Sequence, residues 1–466
     1  MKSPFHVGLA FLCLLQIEAQ LEAAETAQLS PRKLNVLFIA SDDMRPELAC
    51  YGNKLVQSPH LDRLAARGVR FDRAYCQYPL CNPSRTSLLT GRYPTTTGVL
   101  DNNQYFRDQH PDWATLPQHF RAHGYVTART GKIFHGGIDD EPSWMEGAEK
   151  GGTRQPRTAQ QQKAQRENSD RWAAVEKEES QGDYRSATRG IELLEEYHDK
   201  PFFIAVGFAK PHSPLLAPKI YFTQYEASNI PLPADFKPRP TLPEGFPPAS
   251  LPMRNGDLFI ARDAIEPDAR DMIRAYYACI SFVDAQVGRV LEALDRLKLR
   301  DNTVVVFFGD HGYHLGEKGK WSKHNSLFEV GTRVPLIISA PGLPGNGQAS
   351  ARIVEFVDLY PTLVELCGLP KPPGIEGDSL VPLLKSPGAA WDHAAFTVTK
   401  AGQALGQSVR TERWRYTEWN EGKAGAVLFD EQADPHELKN LADDPEYAKT
   451  VTEMKERLKK QLSNTK

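Results

Sequence analysis

"LNVLFIASDD", residues 34–43, is the stretch that decides the fold, because it is an uninterrupted apolar run that ends in two acids. A strand that is buried on both faces of a parallel sheet has this composition. The same pattern recurs in "PFFIAVGFAKPH" (residues 201–212) and "NTVVVFFGDHG" (residues 302–312), and "RVPLIISAPG" (residues 333–342) is a further strand. We therefore predict an α/β fold with a large, mostly parallel sheet that is sandwiched by helices.

The segments between these strands carry helical patterns, and the pattern changes near the end of the chain. A long helix is predicted around "IRAYYACISFVDAQVGRVLEALDRL", residues 273–297. "SVRTERWRYTEW" (residues 408–419) and "AVLFDEQADPHELKNLA" (residues 426–442) predict a short antiparallel meander, and an amphipathic helix follows them. We expect a main domain over residues 33–395 and a smaller C-terminal subdomain over residues 396–466.

The N-terminus indicates export. Lys2 precedes the apolar run "VGLAFLCLL", which is too short to span a bilayer and is typical of a secretory signal peptide, here residues 1–24. The chain has no Asn-x-Ser/Thr glycosylation acceptor, which favours a bacterial protein in the periplasm or medium, without membrane attachment after cleavage. Its net charge of −3 gives no reason to expect a nucleic-acid partner. Six cysteines in 466 residues are too few for a disulfide framework.

Polar side chains follow three of the predicted strands. Asp42 and Asp43 end the first, His212 the second, and Asp310 and His311 the third. Because ligands bind at the carboxyl ends of strands in open α/β sheets, we expect these groups to meet at one edge. A divalent cation would relieve the repulsion between the carboxylates, and oxygen ligands favour Ca²⁺ or Mg²⁺. One acid after a strand is as often a helix cap, so only the three sites together argue for a metal.

"YPLCNPSRTSLLTGRYP", residues 78–94, predicts a turn followed by a helix that begins near Cys81. The N-terminus of a helix favours an anion, and Arg85 lies one helical turn after Cys81. In a plainer interpretation, Cys81 is a small buried residue or half of a disulfide, and Ser84 is a helix cap.

Further cations come from "GKIFHGG", with Lys132 and His135, and from "GKWSKHNS", with Lys323. Taken alone, each lysine is most simply a solvated surface residue. Together with a metal and the nucleophile at Cys81, these cations describe a site for a tetrahedral oxyanion ester.

These motifs stand in the order found in a known family. "CNPSR" followed by "TGR", the acidic pair after the first strand, "GDHG" and the downstream lysine resemble the formylglycine-dependent type I sulfatases, which have an alkaline-phosphatase-like fold. "GKIFH", "FAKPHSP" and "GDHGYHLGE" resemble the iduronate 2-sulfatase branch in particular. The resemblance extends over roughly residues 34–441.

The resemblance implies a mechanism and a cofactor. A maturation enzyme would oxidise Cys81 to Cα-formylglycine, whose aldehyde hydrates to a gem-diol. One hydroxyl would attack sulfur and displace the alcohol, and the second would lose its proton and expel sulfate. Ca²⁺, with Mg²⁺ as the second choice, would be bound by five residues: Asp42, Asp43, Cys81 in its modified form, Asp310 and His311.

The resemblance also implies functions for the other polar residues. Arg85 and Lys132 would hold the diol, and His135 would help to remove its proton. His212 would protonate the leaving oxygen, and Lys323 would bind sulfate together with His212 and Lys132. The chain has Lys-x-x-His where the commoner pattern is Lys-x-His, and His311 where many sulfatases have Asn, as in the iduronate branch.

The expected substrate is an O-sulfated polysaccharide or oligosaccharide, with a uronic acid suggested by the branch. One alternative is a phosphodiesterase or phosphonate monoester hydrolase of the same superfold, because sulfate and phosphate esters are similar in shape. A catalytically silent sugar-binding homologue is the other. The complete set of ligands and cations argues against the silent protein.

Overall fold

The structure is a computed structural model that describes residues 33–148 and 172–464, together with residues 160 and 163. The predicted signal peptide, residues 1–24, lies outside the described residues. The strands are, in chain order, β1 (Asn35–Asp42), β2 (Val69–Tyr75), β3 (Val126–Gly131), β4 (Trp172–Val175), β5 (Phe202–Pro211), β6 (Leu215–Pro218), β7 (Thr303–Gly309), β8 (Arg333–Ser339), β9 (Ala349–Glu355), β10 (Ala395–Ala401), β11 (Ala404–Arg410), β12 (Trp414–Trp419) and β13 (Ala426–Asp430).

The central sheet has seven strands in the order β3-β5-β1-β7-β8-β2-β9. β1 lies between β5 and β7 and is parallel to both, so that Phe38 is paired with Ala205 on one side and Val306 on the other. β8 runs antiparallel to β7 and to β2, and it makes the sheet mixed rather than wholly parallel. All eight residues of β1 are buried, as the sequence predicts for a central strand.

Helices cover both faces of this sheet. In chain order, the helices with bounds in the described residues are α1 (Pro59–Ala65), α2 (Cys81–Thr90), α3 (Pro94–Thr97), α4 (Leu116–Ala122), α5 (Gly182–Glu196), α6 (Lys219–Phe222), α7 (Glu266–Arg296), α8 (Glu329–Thr332), α9 (Leu359–Leu366), α10 (Val381–Lys385) and α11 (Ala448–Asn464), of which α11 packs on the C-terminal sheet instead. Leu37 and Ile39 belong to one core with α1, α5 and α7, whereas Val36 and Phe38 belong to the opposite core with α2, α4 and α9. Each such side chain, fully buried, contributes roughly 1.5–3 kcal/mol. The predicted α/β sandwich is confirmed.

A second sheet follows near the C-terminus. β10, β11, β12 and β13 form an antiparallel sheet in that order, and Met454 and Leu458 of α11 share an apolar cluster with Val409 and Tyr416 of that sheet. The predicted meander and terminal helix are therefore present. The sheet begins at Ala395, and the domain boundary at residue 396 stays a prediction.

Buried ion pairs join the C-terminal sheet to the main domain. The Arg415 side chain of β12 is 1% exposed and lies 2.9 Å from Glu431 and 2.8 Å from Glu437, with Glu329 of α8 as a third partner. An arginine fork suits such a buried carboxylate cluster, because its five donors are fixed in one plane.

Candidate active site

Three carboxylates meet where β1 and β7 end. Asp42 is the last residue of β1, Asp43 follows it, Asp310 follows Gly309 at the end of β7, and each is at most 1% exposed. Asp43 has a φ of 63°, a left-handed conformation that aspartate adopts more readily than most residues. Its backbone N–H donates to Oδ1 of Asp310 at 3.0 Å, so the acids of the two strands are in direct contact.

Cys81 and His311 complete this cluster. α2 begins at Cys81, as the sequence predicts, and the Cys81 Sγ lies 3.3 Å from Oδ1 of Asp42 and 3.3 Å from Nε2 of His311. Nδ1 of His311 is 2.9 Å from the carbonyl oxygen of Gly312, so Nδ1 carries the proton. Nε2 is the ring nitrogen that faces the cluster, and this atom is 3.3 Å from Oδ1 of Asp43.

Three cations contact these three carboxylates. Nε of Arg85 donates to Oδ2 of Asp310 at 2.8 Å, and Lys132 forms an ion pair with Asp42. Nζ of Lys323 donates to both carboxylate oxygens of Asp43, at 2.9 and 2.8 Å. The formal charges of the three carboxylates and the three cations cancel.

Lys132 reaches this position because the backbone allows a close approach. It follows β3, and its N–H donates to the carbonyl oxygen of Gly207 in β5 at 3.1 Å. A Cβ at residue 207 would lie 2.1 Å from the Lys132 carbonyl oxygen, so any larger residue would push the lysine away. Lys132 and His135 line a cavity of about 220 Å³ together with Phe134 and Gly136.

His212 approaches the cluster from the end of β5. Its side chain is 30% exposed, and Nε2 lies 4.0 Å from Oδ2 of Asp43. Nδ1 is 2.7 Å from the carbonyl oxygen of Ser213, which can only accept, so Nδ1 is the donor. Nε2 is thus the ring nitrogen available to exchange a proton at the site.

Burial and neighbouring charges shift the pKa values in opposite directions. Burial alone would raise the pKa of Asp42, but the charge of Lys132, with smaller effects of His212 and Arg85, holds it well below the usual value. Burial raises the pKa of Asp310, and the charge of Asp42 adds to that increase although Arg85 opposes it. Burial and Asp42 also raise the pKa of the Cys81 thiol, so the unmodified thiol is protonated near neutral pH and is a weak nucleophile.

Four donor atoms lie close enough together to bind one cation, and the two carboxylates among them are hard ligands. One ligand atom each from Asp42, Asp43, Cys81 and His311 lie within 4.8 Å of one another. Two Ca²⁺ ligands at 2.3–2.6 Å from the ion are at most about 4.6–5.2 Å apart, so the four atoms can share one coordination sphere. A cation there would also remove the like-charge effect of Asp42 on Asp310.

The residues around Cys81 hold the strand ends in place. Ser84 Oγ donates to the Asp310 carbonyl oxygen at 2.6 Å, and Arg85 Nη1 donates to the carbonyl oxygens of Lys132 and Ile133. Asn82 Nδ2 donates to the carbonyl oxygens of residues 101 and 104 in the following loop. The "CNPSR" segment therefore connects three neighbouring segments to the start of α2.

Comparison with known proteins identifies the family. A sequence profile described as Sulfatase matches residues 34–369, which is more than half of the chain. The chain belongs to the sulfatase family. A second profile, described as N-sulphoglucosamine sulphohydrolase, C-terminal, matches residues 316–464 of this sulfatase.

Named relatives agree with this assignment. The sulfatase is 37% identical to the iduronate 2-sulfatase of Mus musculus in an alignment of 402 positions, gaps included, that covers 76% of this chain and 72% of the relative. It is 34% identical to a sulfatase of Formosa agariphila in an alignment of 476 positions, gaps included, that covers 96% of this chain and 90% of that protein. A solved structure of a 2-O GAG sulfatase has a TM-score of 0.71 at 25% identity and covers 93% of each chain. The protein is a sulfuric ester hydrolase.

The structure of this sulfatase brings nine of the ten sequence-predicted site residues into one network of contacts. They are Asp42, Asp43, Cys81, Arg85, Lys132, His212, Asp310, His311 and Lys323. The tenth, His135, lies beside Lys132 in the adjacent cavity. The functions assigned to these residues stay predictions.

Sequence reasoning missed two residues that support the site. Tyr276 of α7 donates its hydroxyl to the carbonyl oxygen of Asp43 at 2.6 Å. Asp257 is 5% exposed, and its Oδ2 lies 3.9 Å from Nζ of Lys323. Tyr276 looks like any core residue of a long helix, and Asp257 lies in an irregular segment, so neither had a local signal.

Two further expectations concern the cysteines and the membrane. Cys50, Cys76, Cys279 and Cys367 are all free thiols, so the described part of the chain has no disulfide. None of the helices in the described residues is long and apolar enough to cross a bilayer.

Proposed function

We propose that this sulfatase hydrolyses an O-sulfate ester on a uronic-acid-containing saccharide, with formylglycine at residue 81 and a bound Ca²⁺. The observation that carries the proposal is the position of Cys81, at the start of α2 and within 3.3 Å of both Asp42 and His311, beside three cations. The names of two similar proteins, iduronate 2-sulfatase and 2-O GAG sulfatase, support a sulfated uronate as the substrate.

Formylglycine answers the weakness of the thiol. When hydrated, it would supply one hydroxyl that attacks sulfur and displaces the alcohol, and a second that expels sulfate and restores the aldehyde. The change from –CH₂SH to –CHO removes two electrons and replaces sulfur, which leaves as sulfide, by oxygen, so the maturation enzyme would consume an external two-electron oxidant. Cys81, Asn82 and Ser84 are each 1% exposed, so the enzyme must modify the chain before it folds.

Calcium would be held by Asp42, Asp43, Asp310 and His311, with residue 81 as the fifth ligand. The ion would act as a Lewis acid that polarises a sulfate oxygen and lowers the pKa of the attacking hydroxyl. Mg²⁺ is the less suitable ion, because it demands a near-ideal octahedron and keeps several waters.

The chain's own residues would bind the sulfate and move the protons. Lys132 and Lys323 would neutralise charge on the sulfate oxygens, and Arg85 would orient residue 81 by holding Asp310. His135 would take the proton of the second hydroxyl. In its imidazolium form, His212 would donate the Nε2 proton to the leaving oxygen, while its Nδ1–H stays on the Ser213 carbonyl.

Export belongs to the same proposal. Residues 1–24 would direct the chain to the periplasm or the medium, where sulfated polysaccharides occur, and signal cleavage would release it from the membrane. The partners would be the sulfated saccharide and the maturation enzyme. We further propose that residues 33–395 and 396–466 form the catalytic domain and the C-terminal subdomain.

One experiment tests this proposal. The chain is produced with a maturation enzyme. Mass spectrometry should then show that the mass of the peptide containing Cys81 is lower than that of the thiol form by the difference between a –CH₂SH and a –CHO group. The protein should then release sulfate from 2-O-sulfated uronate oligosaccharides, and the Cys81→Ala variant should not. Faster turnover of phosphonate monoesters or phosphodiesters than of every sulfate ester would instead favour the related phosphonate hydrolase function.

A further inference from the structure

A buried carboxylate outside the sequence-predicted set lies next to the turn that carries His212. Oδ1 of Asp257 accepts a hydrogen bond from Oγ of Ser213 at 2.6 Å, and Oδ2 accepts one from the hydroxyl of Tyr313 at 2.9 Å. Nζ of Lys323 is 3.9 Å from Oδ2, beyond hydrogen-bond range. Asp257 therefore forms a hydrogen bond with Ser213, whereas its interaction with Lys323 is electrostatic only.

The contact with Ser213 matters because of what Ser213 does for His212. The Ser213 carbonyl oxygen accepts the Nδ1 proton of His212 at 2.7 Å, which fixes the tautomer and the plane of the ring. The imidazole is 30% exposed, so packing alone does not hold it. Any movement of Ser213 would release Nε2 from its position 4.0 Å from Asp43.

The turn is held from two sides. Nζ of Lys210 donates to the carbonyl oxygen of His212 at 3.1 Å and also to that of Pro214 at 2.5 Å. Asp257 holds the same turn through the Ser213 hydroxyl. Lys210 thus fixes the backbone on either side of Ser213, and Asp257 fixes Ser213 itself.

Asp257 is itself on a well-supported segment. Asn255 Oδ1 accepts the backbone N–H of Trp321 at 2.8 Å, and the N–H of Leu258 donates to the Trp321 carbonyl oxygen at 3.2 Å. Burial alone would raise the pKa of Asp257, but Lys323 and His212 hold it below the usual value, so Asp257 is an ionised acceptor. A hydroxyl donor to an ionised carboxylate makes a short, strong hydrogen bond.

We propose that Asp257 is a positioning residue for the leaving-group step, which acts through Ser213 to hold the His212 imidazole with Nε2 toward the substrate. The proposal rests on the proposed sulfatase mechanism, in which His212 protonates the leaving oxygen. Asp257 touches neither the substrate nor the reacting atoms.

Kinetics on two substrates test this assignment. Asp257→Ala should lower kcat/KM for a sulfated sugar by about 10²-fold, because a small misplacement of a catalytic group costs that much. An activated aryl sulfate needs little protonation and should lose little. Asp257→Asn keeps one acceptor oxygen for the two hydroxyl donors, so its kcat/KM should lie between those of the wild type and Asp257→Ala. Ser213→Ala should lower kcat/KM as much as Asp257→Ala does, although it keeps the buried carboxylate. Asp263→Asn, which breaks an exposed ion pair with Arg239 in the same segment, is the matched control and should behave as the wild type.

A double-mutant cycle identifies the route of action. In a His212→Ala background, Asp257→Ala should cost nothing further on the sulfated sugar, because its effect passes through the missing ring. An equal loss on both substrates, or a full loss that persists without His212, would overturn the proposal and would indicate action through Lys323.

A nuclear magnetic resonance readout keeps the test independent of turnover. Long-range ¹H–¹⁵N correlation, recorded at a pH where the His212 ring is neutral, should show a single Nδ1–H tautomer in the wild type, and a mixture in Asp257→Ala and Ser213→Ala. An unchanged tautomer in both variants would overturn the proposal even in an inactive protein. A wild type that hydrolyses no sulfate ester while showing these shifts would refute the sulfatase mechanism alone.

Discussion

Removing the His212 ring should separate sulfate esters by the quality of their leaving group. His212→Ala deletes the only ring nitrogen that faces the cluster from β5, while Lys323 keeps both of its contacts with Asp43. The sulfate-binding charges therefore stay in place. A sugar alkoxide is a poor leaving group that needs a proton in the transition state, whereas a nitrophenolate is stable without one.

The expected loss follows from that difference. General acid catalysis contributes roughly 10²–10⁴-fold, which corresponds to about 2.7–5.4 kcal/mol of transition-state stabilisation. We expect His212→Ala to lose this amount on a 2-O-sulfated uronate saccharide and only a small fraction of it on 4-nitrophenyl sulfate. Lys323→Ala should weaken both reactions by similar factors, because the sulfate group is common to the two substrates.

The assay compares kcat/KM for both substrates with fully modified protein at saturating Ca²⁺. Sulfate release is measured for the saccharide and absorbance for the aryl ester, and thermal unfolding confirms that each variant is folded. Equal losses on the two substrates for His212→Ala would refute the reasoning. The histidine would then bind sulfate or shape the pocket, and His135 would be the next candidate for the acid.

Three further predictions concern the metal, the ion cluster and pH. Asp310→Asn should abolish activity and remove most of the rise in Tm that Ca²⁺ produces in the wild type, where a ligand at 100 times its Kd contributes about 2.7 kcal/mol; full wild-type activity after thorough chelation would contradict the metal assignment. Arg415→Met should lower the free energy of unfolding, measured with denaturant, by about 3–5 kcal/mol, because it leaves buried carboxylates without a cation. Arg413→Met, at a solvent-exposed arginine, should change it little, and equal effects of the two variants would contradict the assignment. Burial raises the pKa of Asp284 from 3.8 to about 7, so its contribution to stability is complete below pH 4 and is lost as the pH rises to 7. Asp284→Asn should therefore flatten the fall in Tm over this window, and an unchanged pH profile would contradict the assignment.

Part of the fold could be predicted because burial on both faces leaves a plain trace. β1, β5 and β7 are continuous apolar runs in the middle of the sheet, and the sequence shows them directly. The antiparallel direction of β8 left no such trace, since strand composition does not record direction. β10 was missed although Phe396 and Val398 alternate with Thr397 and Thr399 as in a half-buried strand, and although the two residues between β10 and β11 have the length of a hairpin turn.

The candidate site was predictable to the extent that it lies on strand ends. Ligands bind at the carboxyl ends of parallel strands, and this rule predicts that Asp42, His212 and Asp310 lie close together. Asp257 obeys no such rule, because it follows a proline-rich stretch with no strand of its own. Its contact with Ser213 depends on how that segment packs against Trp321, and such tertiary packing leaves no local pattern in the sequence.

If the proposed function holds, the charges of the cluster would select the sulfate group and leave the saccharide to other residues. Three cations already neutralise three carboxylates, so a divalent ion would leave an excess of positive charge at the start of α2, where burial limits screening by salt. That excess favours anionic groups, both the sulfate and the carboxylate of the proposed uronate, and it does not distinguish one pattern of ring hydroxyls from another. The proposed saccharide would therefore be recognised by segments that flank Cys81. Two such segments contact residues close to Cys81 in the chain. The carbonyl oxygens of residues 101 and 104 accept hydrogen bonds from Asn82, and in the β10–β11 hairpin the Lys400 N–H donates to the Tyr78 hydroxyl. Because loops and hairpins vary without disturbing the buried cluster, one sulfate-cleaving centre can serve many sulfated saccharides.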